Sequence, residues 1–276
     1  MEIQNHLLVG DNVSFIKATT HGGPYKPGDL DTIIMHFTSG PNPKSAVSTF
    51  LNPRMNVSAH LIIGRDQTII QMVPFNLIAW HAGKSEYKGR IGFNNYSIGI
   101  EIDNAGILTK SGDTYRAWFG TEYQESDVIQ AIHRNEKDPR YWHAYTDWQL
   151  ETVDQISTLL IQTYGIKQIL GHEEIAPDRK WDPGPAFPLD KMRTNLLGID
   201  RDATGPAQLV SAMRVGVPKL NMRDIPDPTG NLVNEAIPQG TRVEILEQKD
   251  GWYRVRYNKK IDGYVMTQYI GEVAEA

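Results

Sequence analysis

The residues whose side chains could do chemistry are concentrated in one short polar segment, "GHEEIAPDRKWDPGPAFP" at 171–188. The segment contains His172, Lys180 and Asp182, and its glycines and prolines are incompatible with a long helix or strand. Polar segments of this kind are usually surface loops. The alternative is that the loop carries part of a metal site, because imidazole nitrogens and carboxylate oxygens are zinc ligands.

Composition restricts which residues could hold such a metal. The chain has no cysteine, so disulfides, thiolate nucleophiles and thiolate ligands are excluded. A hydrolytic zinc site usually takes three protein ligands and leaves a position for water. His36, His172 and Asp182 have suitable chemistry, but the chain has eight histidines, so spacing alone does not select the ligands. We interpret the others as exposed or structural (His6, His21, His133, His143) or as packing within a strand (His60).

Length, charge and hydropathy exclude several other classes of protein. A chain of 276 residues predicts about two domains. The net charge of −5 provides no basic surface for nucleic acid. No apolar run approaches the ~20 residues that span a bilayer. The first residues, "MEIQNHLLVGDNVSF", lack the charged and apolar regions of a signal peptide, so we expect synthesis in the cytoplasm.

The elements that must position these side chains follow from hydrophobic patterning. Three short apolar runs predict strands, a hairpin is predicted where two runs flank "RDQ", and one segment predicts a short helix. The strands are at 32–37, 96–103 and 166–170, the hairpin at 58–74 and the short helix at 42–52. The first strand ends near His36, and the second carries Glu101 near its end.

The clearest helix is predicted at 147–164, where apolar residues recur every three or four positions. Thr146 and Gln149 fit a capping box, and Gly165 fits the residue after the helix. The aromatic stretch 104–147 is expected to form loops and one short helix. Strands interleaved with helices predict an α/β fold with a mixed central sheet flanked by helices.

The pattern of apolar and polar residues changes after the first domain, which we place at 1–196. A connector at 197–214 is followed at 215–276 by short alternating runs separated by turns such as "DPTGN", "IPQGT" and "KDGW". This pattern predicts a small all-β barrel as a second domain.

Five motifs in the first domain make a family resemblance specific. "IIMHF", "SAHLIIGRDQTIIQMVP", "AWHAG", "NNYSIGIEI" and "GHEEIAPDRKWDPGPAF" occur in this order. Over roughly residues 25–195 the chain resembles the zinc-dependent N-acetylmuramoyl-L-alanine amidases of type 2, whose fold is shared by the peptidoglycan recognition proteins. The second domain resembles bacterial SH3-like (SH3b) modules in "LNMR", "IPQGT", "GWYRV" and "GYV". Such modules often bind cell wall, and many only support an enzyme sterically.

The resemblance implies roles for individual positions. Zn²⁺ would be held by His36, His172 and Asp182, and the family's catalytic glutamate and lysine fall on Glu101 and Lys180. Zinc would activate water, Glu101 would move its proton to the leaving nitrogen, and Lys180 would stabilise the oxyanion. Without the resemblance, the glutamate is better read as a solvated carboxylate at a strand end, and the lysine as a surface charge.

Two further residues match a family motif near the substrate cleft: Trp80 and His81, in "WHAG". The stretch 104–147 looks longer than in compact recycling amidases. Its aromatics would form a lid, a substrate wall or extra packing (Tyr115, Trp118, Phe119, Tyr141, Trp142).

The resemblance leaves three functional readings. The first is an amidase that cuts the bond between N-acetylmuramic acid and L-alanine in peptidoglycan, reaching the wall after lysis or by export without a signal. The second is a cytoplasmic amidase that recycles anhydromuropeptides, which the missing signal peptide favours and the SH3-like domain disfavours. The third is a non-catalytic peptidoglycan-binding protein, disfavoured because all the ligand and catalytic positions hold competent residues. A general zinc peptidase is disfavoured because this sequence contains no H-E-x-x-H helix motif. The oligomeric state is not predicted.

Overall fold

The computed structural model describes residues 1–198, 213–215, 219–249, 251–258 and 261–272. The chain divides into two compact units, Met1–Asp200 and Arg201–Ala276. The strands of the first unit are β1 Glu2–Gln4, β2 Leu7–Val9, β3 Val13–Phe15, β4 Thr32–Phe37, β5 Leu61–Ile63, β6 Ile69–Gln71, β7 Glu86–Tyr87, β8 Arg90–Ile91, β9 Ser97–Ile102, β10 Ile107–Ser111, β11 Thr114–Arg116, β12 Glu122–Tyr123, β13 Val128–Ile132, β14 Pro139–His143 and β15 Gln168–Gly171. Its α-helices are α1 Pro43–Leu51, α2 Asp147–Tyr164, α3 His172–Ile175 and α4 Leu189–Leu197.

Six strands of this unit form one mixed sheet in the order β15-β4-β9-β5-β6-β3. β15, β4, β9 and β5 run parallel, β6 is antiparallel to β5, and β3 is parallel to β6. The three predicted strands are neighbours in this sheet, and the predicted hairpin is formed by β5 and β6. The predicted mixed α/β fold is therefore confirmed.

The two faces of the sheet have different partners because side chains alternate along each strand. Ile33 and Met35 of β4 join Ile98 and Ile100 of β9 in a buried core, which also contains Val153 of α2. The residues between them point to the opposite face. That face carries the candidate site.

Helix α2 begins and ends as its sequence predicts. Thr146 Oγ1 accepts a hydrogen bond from the Gln149 amide at 3.2 Å, and Gln149 Oε1 accepts one from the Thr146 amide at 3.1 Å. Gly165 ends the helix with a left-handed φ of 66°. The predicted short helix is α1, with Asn42 as its N-cap. α4, which ends before a left-handed Gly198, was not predicted from the sequence.

The expectation of loops over 104–147 was wrong. This stretch forms a five-stranded antiparallel sheet in the order β12-β11-β10-β14-β13, with a 3-10 turn at Glu125–Asp127. Tyr115 and Trp142 are buried in it, whereas Trp118 is exposed. We call residues 104–147 the insertion. Some of its aromatic side chains are buried in a core, whereas Trp118 faces solvent.

The second unit contains the predicted small β domain. Its strands are β16 Met213–Val215, β17 Lys219–Leu220, β18 Ile237–Pro238, β19 Arg242–Lys249, β20 Trp252–Tyr257, β21 Ile261–Met266 and β22 Ile270–Glu272. Five of them form a sheet in the order β21-β20-β19-β16-β22 around a core that includes Met222, Val255 and Val265. Most of the connector predicted at 197–214 lies outside the described residues.

Among the described residues, no helix combines the length and the apolar character needed to span a bilayer.

Candidate metal centre and active site

The register of the central sheet brings the predicted site residues together. His36 of β4 lies directly opposite Glu101 of β9, on the face away from α2. β15 pairs with the other side of β4, with Gly171 opposite Met35, so that His172 begins α3 beside His36. Because these strands are parallel, their carboxyl ends share one edge, and the loop after α3 returns there with Asp182.

Three buried side chains converge at this edge. His36 Nδ1 lies 2.8 Å from Asp182 Oδ2, His172 Nδ1 lies 2.9 Å from the same oxygen, and the two Nδ1 atoms are 2.9 Å apart. Among the described residues this is the group of His, Asp and Glu side chains compact enough to hold a metal ion.

Hydrogen bonds on the outer side of each imidazole set its tautomer. His81 Nε2 faces two oxygens of Ser97, the carbonyl at 3.3 Å and Oγ at 3.4 Å, and this Oγ donates its own proton to the Phe93 carbonyl. His81 Nε2 therefore donates, and its Nδ1 accepts from His36 Nε2 at 2.9 Å. This bond leaves the His36 Nδ1 lone pair directed at the cluster.

His172 is oriented in the same way. Its Nε2 donates to the carbonyl oxygen of Ala82 at 3.2 Å, so its Nδ1 also presents a lone pair. Arg179 donates to the same carbonyl at 2.6 Å and to the carbonyl of Lys84, and so holds the acceptor in place. Two imidazole lone pairs and a carboxylate oxygen thus face one another.

The charge states in the cluster follow from burial. Burial lowers the pKa of His36 to about 4, with His172 adding to the effect, so the imidazole is neutral at neutral pH. Burial also lowers the pKa of His81 well below its usual value. For Asp182 burial alone would raise the pKa, but His172 and His36 hold it well below the usual range. The cluster therefore carries an ionised Asp182 carboxylate beside a neutral His36 imidazole.

Glu101 and Lys180 line a cavity of about 350 Å³ above this cluster. Glu101 Oε2 is completely covered and has no hydrogen-bond partner among the described residues. Burial raises the pKa of Glu101 well above its usual value, the charge of Asp182 adds to the rise, and Lys180 opposes it. The glutamate is thus not the solvated carboxylate that its place at a strand end suggests.

Trp80 and His81 line the same cavity. A Cβ added at Gly99 would lie 2.4 Å from the His81 ring, so only glycine leaves room for this histidine. Asn94 Oδ1 accepts from the amides of His81 at 3.0 Å and of Ala82 at 2.7 Å. Asn94 lies in the motif "NNYSIGIEI", and the sequence alone predicts no role for it.

Residues of the insertion also support the site by contacting Glu173, next to His172. The sequence did not predict this contact. His133 Nε2 donates to Glu173 Oε2 at 2.6 Å, and Arg134 Nε lies 2.9 Å from Glu173 Oε1. Glu173 Oε2 also accepts from the amide of Gly184 at 3.1 Å. Glu173 adjoins His172, so the insertion braces the loop that carries two of the candidate ligands. Spacing offered no signal for this contact, because the residues lie 40 positions apart.

The remaining histidines divide as interpreted. His60 is fully buried: its Nδ1 accepts from the Gly99 amide at 3.0 Å, and its Nε2 lies 2.9 Å from the Leu77 carbonyl. His133 and His143 are buried with structural partners, His21 is half-buried with its Nδ1 2.8 Å from the Gly22 carbonyl, and His6 is exposed. None of these five belongs to the convergent cluster.

The fold and site define a class: a mixed α/β domain with a metal-competent His-His-Asp cluster at the end of its sheet, followed by a small β domain. Residues 26–185 match the family model described as N-acetylmuramoyl-L-alanine amidase, and residues 218–271 match that of the bacterial SH3 domain. The chain belongs to the N-acetylmuramoyl-L-alanine amidase family, and it is a hydrolase of that type.

Two curated relatives and one solved structure illustrate the similarity. The 1,6-anhydro-N-acetylmuramyl-L-alanine amidase AmpD of Escherichia coli is 34% identical over 189 residues, which cover 68% of this chain and 80% of AmpD. The N-acetylmuramoyl-L-alanine amidase AmiD of E. coli is 30% identical over 184 residues, covering 63% and 56%. A structure of E. coli AmiD in complex with the substrate anhydro-N-acetylmuramic acid-L-Ala-D-gamma-Glu-L-Lys aligns at a TM-score of 0.47 and 28% identity, covering 67% of this chain and 62% of the AmiD chain.

Proposed function

We propose that the cluster holds zinc through His36, His172 and Asp182, and that the enzyme hydrolyses the amide between N-acetylmuramic acid and L-alanine. The observation that carries the proposal is the convergence of two imidazole lone pairs and one carboxylate oxygen within 2.9 Å. With the ring protons on Nε2 of His36 and of His172, where they are donated to His81 and to the Ala82 carbonyl, no proton lies between these three acceptors. Such a group is stabilised by a cation, and its nitrogen and oxygen ligands suit zinc. When bound, zinc would polarise the scissile carbonyl and lower the pKa of a water molecule.

The protein's own residues would supply the proton transfers. Glu101, with its raised pKa and uncommitted Oε2, takes a proton from the attacking water as the oxygen bonds to the carbonyl carbon. It then delivers that proton to the alanine nitrogen as the C–N bond breaks. Lys180 lines the same cavity, and its ammonium group stabilises the negative charge that develops on the carbonyl oxygen.

Trp80 and His81 are proposed as part of the substrate cleft wall. Both His81 nitrogens are engaged within the protein, so its contribution to substrate would be limited to contact with the carbon edge of the ring. Trp80, which is half-buried, offers an indole surface beside it.

The polymeric cell wall and the soluble anhydromuropeptide are the two candidate substrates. Similarity to a 1,6-anhydro-N-acetylmuramyl-L-alanine amidase favours the anhydro fragment. The bacterial SH3 domain favours the polymer, since a soluble fragment requires no wall-binding module. We propose peptidoglycan as the principal substrate and the cell wall as the site of action, with recycling of the anhydro fragment as the second candidate.

Mass spectrometry of the products would test both parts of the proposal. Purified peptidoglycan and soluble anhydromuropeptide are incubated separately with the protein, with and without a chelator. Release of stem peptides from the polymer, abolished by the chelator and by Asp182→Ala, is the expected result. Cleavage of the soluble fragment alone would assign the enzyme to recycling. Cleavage of neither, with binding retained, would contradict the catalytic roles.

A further inference from the structure

A second cavity, of about 500 Å³, lies beside the candidate active site. Phe37, Ser39 and Trp181 line both cavities, so the two form a continuous depression. The far wall of the second cavity is built by the insertion and includes Trp118. We call this second cavity the insertion groove.

Two exposed tryptophans flank the insertion groove, and each is held by its indole nitrogen. Trp118, 77% exposed, donates to the carbonyl and to Oγ of Ser39 at 2.9 and 3.1 Å. Trp181, 41% exposed, donates to Glu136 Oε1 at 2.9 Å. Phe119 packs edge-on against Trp118 with ring centroids 5.6 Å apart. Exposed indoles fixed in this way offer rigid apolar surfaces to a ligand with little loss of entropy on binding.

The remaining lining of the groove is rich in hydroxyl groups and has a single cation without a carboxylate partner among the described residues. Its hydroxyls come from Ser39, Thr109 and Ser111. Arg116 forms an ion pair with Glu122, which leaves the exposed ammonium group of Lys110, 5.7 Å from the centre of the Tyr115 ring. A stem peptide carries several free carboxylates and would need more cations than this one. A neutral sugar ring, with apolar C–H faces and hydroxyl edges, matches the indoles and the hydroxyls.

We propose that the insertion groove is a saccharide subsite. It binds an N-acetylated pyranose ring of the glycan strand next to the muramic acid at the cleavage site, stacked on Trp118 and bordered by Trp181. This assignment rests on the proposed function, and it makes the insertion a determinant of the preference for glycan strands over single-sugar fragments.

Equilibrium binding tests the subsite without requiring catalysis. The probe is tetra-N-acetylchitotetraose, a sugar without peptide, titrated calorimetrically into the full-length protein. Trp118→Ala is expected to weaken the binding by about tenfold or more, and Trp118→Phe to restore much of it. Phe15→Ala, at an exposed aromatic outside the groove, serves as the control and should leave affinity unchanged. The SH3-like domain is present in every variant, so the difference between variants reports on the groove.

The free tripeptide L-Ala-D-γ-Glu-L-Lys is the rival probe. If Trp118→Ala weakens tripeptide binding but not sugar binding, the groove is a peptide subsite and the proposal is wrong. Equal sugar affinity in the wild type and Trp118→Ala would also overturn it. These outcomes are independent of the proposed function, whose failure would appear as absence of cleavage by the wild type.

Kinetics give a second readout when cleavage is observed. Trp118→Ala should lower kcat/KM on polymeric peptidoglycan by about tenfold, and on a single-sugar muramyl tripeptide by less than about twofold. An equal loss on both substrates would contradict a subsite for the neighbouring sugar.

Discussion

At the scale of single residues, each candidate imidazole ligand depends on a hydrogen-bond acceptor outside the cluster. His36 donates to His81, and His172 donates to the carbonyl of Ala82. Such outer contacts hold the ring orientation and the tautomer that a metal ligand needs. They explain why the "WHAG" motif lies near the candidate ligands: His81 orients His36, and the residue after it provides the acceptor for His172.

Replacing His81 by Phe should therefore weaken metal binding. The phenyl ring fills the space beside Gly99 but offers no acceptor to His36 Nε2. We expect zinc affinity, measured by competition with a chromophoric chelator, to fall about 10–100-fold. His6→Phe, at an exposed histidine, is the control. Unchanged affinity in His81→Phe would show that this hydrogen bond does not set the tautomer of His36.

Replacing Glu101 by Gln should separate chemistry from metal binding. The amide has the same size but cannot take up a proton from water. We expect kcat to fall about 10²–10⁴-fold while zinc content, measured by atomic emission, stays as in the wild type. Glu151→Gln, at an exposed carboxylate of α2, controls for loss of a carboxylate. A loss of zinc in Glu101→Gln would instead make Glu101 part of the metal site.

At the scale of elements, the five-stranded sheet of the insertion and the segment that carries His172 and Asp182 support each other. β13 ends at Ile132, and the next two residues, His133 and Arg134, both contact Glu173. The His133 ring also stacks on Trp142, with centroids 5.5 Å apart. The sheet that carries Trp118 is thus attached to the segment that carries His172 and Asp182.

His133→Phe tests this attachment. The phenyl ring can keep the stacking on Trp142 but leaves the buried Glu173 with one hydrogen bond fewer. Loss of a partner for a buried polar group should lower the free energy of unfolding by about 1–3 kcal/mol, measured by urea denaturation. Arg116→Ala, which breaks an exposed ion pair of the same sheet, should cost less than about 1 kcal/mol. Equal effects of the two substitutions would argue against the attachment.

At the scale of the whole molecule, buried neutral histidines make stability depend on pH. Burial lowers the pKa of His60 from 6.5 to about 4 and that of His143 to about 3. Above pH 6.5 both histidines are neutral in the folded and the unfolded chain, so their contribution is fully present. As the pH falls from 6.5 towards 4, the unfolded chain binds protons that the folded chain does not, and stability is lost.

His60→Gln should reduce this dependence. Over the window from pH 6.5 to 4, the shift of His60 corresponds to about 3 kcal/mol. The variant is expected to be less stable at pH 7 but to lose less stability on acidification, as measured by urea denaturation at several pH values. His6→Gln is the control. A pH dependence identical to the wild type would mean that His60 does not titrate differently in the two states.

The elements that could be predicted from the sequence are those whose determinants are local. α2 was predicted to its ends because a capping box, an apolar stripe and a terminal glycine all lie within it or next to it. The core strands were visible because they are buried runs of β-branched residues. The strands of the insertion were missed because they are short and half-exposed, and pairing between distant segments decides them.

By itself, the sequence determined the two-domain order, the principal elements and, through the order of five motifs, a candidate ligand set of His36, His172 and Asp182. The tertiary structure decided what depends on residues far apart in the chain. Register placed Glu101 opposite His36, and burial raised the pKa of Glu101. Contacts with distant segments set the imidazole tautomers, attached the insertion to the segment that carries His172 and Asp182, and left the Trp118 side chain exposed. Spacing cannot encode these features, because hydrogen-bond direction and burial exist only once the segments have met.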